Sequence, residues 1–109
     1  MATTLKVLGQ SKPAATTLTT AYTVPALTTT TVSTITVCNQ SATATSFRIS
    51  VAVAGAADTP SQYLYYDIAI SGNDTFAATI GVTLGQNDVI RVYNTLATCS
   101  FNIFGVENT

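Results

Sequence analysis

Apolar and polar residues alternate with a period of two along most of this chain, the spacing of half-buried strands. The clearest run, SFRISVAV at 46–53, sends Phe47, Ile49, Val51 and Val53 one way and Arg48, Ser50 and Ala52 the other. A loop over 55–61, with Asp58 and Pro60, separates it from QYLYYDIAI at 62–70. There the alternation places Leu64, Tyr66, Ile68 and Ile70 on a core face and Tyr63, Tyr65 and Asp67 on the opposite one. Ser71-Gly72-Asn73-Asp74 reads as a turn, because Gly and Asn tolerate positive φ. Phe76, Ala78, Ile80, Val82 and Leu84 then alternate through one further strand, and Gly85-Gln86-Asn87-Asp88 repeats the turn chemistry. Strands over 89–93 and 99–106 complete the series, the last with Phe101 and Ile103 facing away from Asn102 and Phe104.

The first third is less regular. A short strand over 5–8 stops at Ser11-Lys12-Pro13, and a second over 18–24 ends at Pro25, which has no N–H for a central ladder. The four threonines 28–31 run straight into Val32, Ile35 and Val37. Thr is β-branched and suits a pleated surface, so the run is predicted to enter a strand. About eight short strands with regular turn signals predict an all-β protein, a single antiparallel β-sandwich in jelly-roll or immunoglobulin-like order. Residues 1–109 read as one domain. Residues 1–13 read either as its first strand or as an N-terminal anchoring arm that adds to a neighbour's sheet edge.

Charge sharpens this picture. Only 8% of residues are charged, against about 25% in ordinary soluble domains, and the net charge is −1. Outward strand positions carry Thr, Ser and Ala where Lys and Glu are usual. Burying a hydroxyl that finds a partner carries a far smaller penalty than burying an ion, and interface cores are charge-poor for that reason. A face built for contact is expected; the plain strand preference of Thr is the alternative. The four bases, Lys6, Lys12, Arg48 and Arg91, form no dense row, so neither nucleic acid nor an anionic membrane surface is expected as a partner. The opening MATTLKVLGQSKP has neither the basic nor the apolar region of a secretory signal, and synthesis in a cytoplasm is expected.

Candidate chemistry is sparse. Histidine, the commonest general base and zinc ligand, is absent. Cys38 and Cys99 have no charged sequence neighbour to lower a thiol pKa, so neither is expected to be a nucleophile. They are either buried thiols or a disulfide between facing sheets. Asp58, Asp74 and Asp88 fall in loops, where Asp caps backbone amides. No catalytic residue, metal or cofactor is expected; calcium would need the Asn73-Asp74 and Asn87-Asp88 turns to meet at one end of the sandwich. Tyr63 and Tyr65 are candidate partner anchors or a sugar-stacking platform, unless another segment of the chain covers them. Arg48 and Arg91 either pair with Asp67 or reach a partner. Lys6 and Lys12 are candidates for meeting acidic groups on a neighbour.

Five segments carry a family resemblance: YTVPA at 22–26, VSTITVCN at 32–39, FRISVAVAGAAD at 47–58, QYLYYD at 62–67 and SFNIFG at 100–105. Together they resemble small virion proteins of tailed bacteriophages, over residues 8 to 107. The resemblance implies a non-enzymatic virion structural protein, made in the bacterial host cytoplasm. It implies a capsid decoration (cement) protein that stabilises the shell, or a tail- or fibre-associated component that binds host-surface glycans. The implied partners are the major capsid protein or other virion proteins. A homotrimer would suit the local threefold positions of a shell.

Overall fold

Strand-forming segments of β-branched and aromatic residues, separated by Gly, Asn and Pro turns, pair here into two antiparallel sheets. The computed structural model describes residues 2–109. The strands are β1 (Thr3–Ser11), β2 (Thr19–Thr23), β3 (Thr29–Asn39), β4 (Thr45–Ala52), β5 (Tyr63–Ile70), β6 (Thr75–Ala78), β7 (Val82–Leu84), β8 (Val89–Asn94) and β9 (Cys99–Asn108). One sheet runs β1-β9-β3-β6, with β7 also paired to β3; the other runs β2-β8-β4-β5. With β6 and β7 taken as one interrupted strand, this is a jelly-roll-like order. Of the two orders left open by patterning, the immunoglobulin-like one does not apply.

Phe47 is the hub of the core. It lies fully buried on β4, with Phe76, Phe101 and Tyr65 around it at centroid distances of 5.2, 6.2 and 6.5 Å. Ile35 and Val37 of β3, Ile103 of β9, and Ile90 and Val92 of β8 fill the rest of the space between the sheets. These are inward positions of the period-two pattern. Gly105 on β9 lies where a Cβ would collide with the Thr31 carbonyl, so the close approach of β9 and β3 requires glycine there.

The structure departs from the alternation at three places. Val53 leaves the core face and is 71% exposed, because β4 ends at Ala52 and the chain enters a 3-10 turn, Val53–Gly55. The segment 76–84 is two strands, since Gly81 takes φ 59 and swings Ile80 out to solvent. Within β5, Tyr65 faces the core and Tyr66 faces out, the reverse of the reading from strict alternation. Cys38 and Cys99 lie on adjacent strands of one sheet, with Cys38 opposite Ser100 and Cys99 opposite Asn39. Neighbouring positions on a ladder point to opposite faces, and both cysteines are free thiols. The turns at 71–74 and 85–88 do not meet. They flank opposite ends of β3, where Cys38 pairs with Thr75 and Thr30 with Leu84, roughly 26 Å apart at strand rise.

Two buried asparagines fix the loops. The Asn39 side-chain amide donates to the carbonyls of Thr43 and Ser71, at 2.9 and 3.1 Å. The Asn94 carbonyl oxygen accepts from the backbone N–H groups of Thr98 and Cys99, at 2.9 and 3.0 Å. β1 is an edge strand, paired with β9 from Thr3 opposite Asn108 to Ser11 opposite Phe101.

Candidate functional site

The two outer faces of the sandwich differ in kind. On the five-stranded sheet, register assigns Thr31, Thr34 and Thr36 of β3, Phe104 and Val106 of β9, and Leu5 and Val7 of β1 to one outward surface. Leu5 lies opposite Val106 and Val7 opposite Phe104, so four apolar side chains adjoin across two strands. Leu5 is 78% exposed and Val7 47%. The remaining outward strand positions are Thr, Ser, Asn, Gln, Ala and Cys38, and none carries a charge. Neutral side-chain hydrogen bonds tie this surface together, Thr3 to Asn108 at 2.9 Å and Gln10 to Asn102 at 2.8 Å.

The charged residues of β1 and β9 point elsewhere. Lys6 pairs with Glu107 at 3.3 Å, and the other Glu107 oxygen accepts from the Tyr22 hydroxyl at 2.6 Å. Tyr22 also meets the Thr30 hydroxyl at 2.8 Å. Burial first, and the Glu107 carboxylate second, push the Tyr22 phenol up to about 12. The Tyr22 hydrogen bond holds the Glu107 carboxyl below its usual range, against burial, with Lys6 assisting. Lys12 is exposed in the loop after β1.

The outer face of the four-stranded sheet holds the strand arginines and the outward tyrosines. Two irregularities in β5 build this face. Phe47 pairs with Ile68 and Ile49 with Tyr65, so Tyr66 and Asp67 together oppose the single residue Arg48. Asp67 takes φ 52, a conformation Asp tolerates better than most residues. Ser50 then pairs with Tyr63, which leaves Leu64 as a second extra residue. The two bulges turn Tyr65 inward and carry Tyr66 outward beside Tyr63. Their rings meet edge to face at 5.0 Å.

Arg48 sits at the centre. Its guanidinium lies 4.1 Å from the Tyr66 ring centroid and 4.2 Å from that of Tyr93, a double cation–π arrangement. Nε and Nη2 donate to the two Asp67 oxygens at 2.6 and 3.3 Å. Of the two alternatives for the arginines, Arg48 takes the internal pair. Arg91 does not pair with Asp67; it donates to the carbonyls of Ala56 and Gly55 at 2.9 and 3.2 Å and pins the loop after β4. Tyr63 donates to Asp58 at 3.1 Å, and burial, followed by that carboxylate, raises the phenol pKa. An open cleft of about 480 Å³ results, lined by Arg48, Asp58, Thr59, Pro60, Tyr63 and Tyr66.

Of the residues singled out from sequence, the fold gathers Tyr63 and Arg48 in this cleft and places Arg91 behind its loop. Tyr65 is turned into the core, and Lys6 and Lys12 belong to the other sheet's edge. Pattern reading missed Tyr66, Tyr93 and Asp58. The available signal was Asp67, a residue depleted in strands and tolerant of positive φ, in the middle of an apolar run. Among the described residues, no three His, Cys, Asp or Glu side chains gather as metal ligands. Burial pushes the Cys99 thiol up and keeps it protonated at neutral pH. No protein-family model matches the chain, and no curated protein matches it at a significant level.

Proposed function

We propose that this protein is a structural component of a tailed-phage virion, a decoration protein that seats on the capsid through the outer face of its five-stranded sheet and acts without catalysis. One observation carries the reading: a whole sheet face has hydroxyls, amides and exposed Leu5 and Val7 but no ion. Such a face loses little hydration energy when covered, and its apolar patch along β1 and β9 gains from burial. A neutral surface with an apolar patch set beside hydroxyls and amides shares the low charge of a protein interface core. The segment resemblance names the kind of assembly, and cyclic trimers at local threefold positions fit it.

A decoration protein that binds only the assembled shell stabilises that shell by mass action. Particles lacking this chain are therefore expected to assemble and to lose their DNA at a lower temperature, with purified protein restoring the wild-type value. Unchanged heat tolerance in the depleted particles would overturn the cement role.

A further inference from the structure

We propose that the cleft on the opposite face, between Arg48, Tyr66, Tyr63 and Asp58, binds a neutral carbohydrate. The site is built before any ligand arrives. Arg91 fixes the carbonyls of Gly55 and Ala56, and the Ala54 N–H donates to Asp88 at 2.9 Å. Gln62 donates to the Ala57 carbonyl at 2.9 Å and closes a capping box with Thr59. The wall made by Asp58, Thr59 and Pro60 is thus held at both ends. The opposite wall is Tyr66, which is 56% exposed although Arg48 and Tyr63 lock its ring. The volume of about 480 Å³ lies in the range of small-molecule sites, about 300–1,000 Å³.

The chemistry selects the ligand class. Aromatic faces are electron-rich and attract the weakly positive C–H face of a pyranose. Arg48 spends Nε and Nη2 on Asp67 and keeps Nη1 outside that pair. Asp58 accepts from Tyr63 through Oδ2 and keeps Oδ1 outside it. The cleft therefore offers a fixed donor and a fixed acceptor beside aromatic rings, which suits vicinal hydroxyls. Charge excludes the other classes. Asp67 already neutralises Arg48, so Asp58 leaves the cluster at net −1 and an anionic ligand is repelled. A cationic ligand on the Tyr66 ring would have to displace Arg48, whose guanidinium already lies 4.1 Å from that ring's centroid. A neutral polyol meets neither obstacle.

The site does not depend on the virion reading: a chain that never attached to a particle but bound sugar here would satisfy it. The test is a printed array of neutral and sialylated glycans, followed by amide-shift titration with the best neutral oligosaccharide, 3′-sialyllactose and choline. Saturable shifts at Thr59, Tyr63 and Tyr66 are expected with the neutral sugar. Tyr66→Ala is expected to weaken binding about tenfold or more, while Tyr66→Phe, which keeps the ring, stays within about threefold. Amide dispersion of Tyr66→Ala reports that the fold is intact. The proposal is overturned if no neutral glycan binds, if choline or sialyllactose binds best, or if folded Tyr66→Ala binds as wild type does.

Discussion

Tyr22 shows how a chain with few charges uses one of them. Its hydroxyl bridges Thr30 and Glu107, and Glu107 in turn holds Lys6. The Glu107 carboxyl titrates lower in the folded chain than in the unfolded one. Its contribution is therefore present above the ordinary carboxylate range and is lost as pH falls through the folded value. Tyr22 has the opposite sign: raised to about 12, it contributes fully below its ordinary value of 10.0, and that contribution disappears as pH rises from there to about 12. Tyr22→Phe removes a hydrogen bond to an ionised group and is expected to lower stability by about 1.5–3 kcal/mol. It also flattens the acid limb: because Glu107 loses its main donor, the gap to wild type is widest above the ordinary carboxylate range and narrows as pH falls through the folded Glu107 value. Urea unfolding at several pH values, read by circular dichroism, measures both. A variant within about 0.5 kcal/mol of wild type with the same acid limb would refute the network.

At the scale of elements, β5 decides what the four-stranded face presents. Its bulge at Tyr66 and Asp67 needs a residue that accepts φ 52, and it also supplies the partner of Arg48. Two substitutions separate these roles. Asp67→Asn keeps the tolerance for positive φ and loses only a half-exposed ion pair, worth up to about 1 kcal/mol. Asp67→Val adds backbone strain of roughly 1–3 kcal/mol and is expected to unfold at clearly lower denaturant. Equal losses in the two variants would mean that the backbone does not set the bulge. The same strand marks the limit of reading by pattern. Alternation was sufficient in β4 and β9, where Phe47, Ile49, Phe101 and Ile103 are buried as their spacing requires. It failed at β5 because each extra residue inverts the facing of everything beyond it, and apolar content alone does not reveal an insertion. It failed at 76–84 because Gly81 breaks the ladder without disturbing the spacing of Phe76, Ala78, Val82 and Leu84. The cleft was half legible for that reason: Tyr63 and Arg48 stood out, and Tyr66 was assigned to the wrong side.

At the scale of the whole molecule, the strand charges are segregated. Arg48, Asp67 and Arg91 sit on one outer face, Lys6 and Glu107 join at the edge, and the broad face of the other sheet has none. The low charge fraction and the threonine runs were visible in the sequence. Which face they formed was not, since this depends on the pairing of β3 with β9 and β1, residues far apart in the chain. A neutral contact face also has a salt signature. Attachment through it should be nearly insensitive to ionic strength, whereas attachment through Lys or Arg weakens as salt screens them.

The neutrality of that face is the central claim, and co-sedimentation with capsids depleted of this protein tests it most directly. Wild type is expected to pellet with the particles at low and high salt alike. The double variant Leu5→Lys with Val7→Lys changes two exposed side chains, so it should fold as wild type does. It should nevertheless remain in the supernatant, because docking would desolvate two unpaired charges. A folded double variant that pellets as fully as wild type would contradict the account.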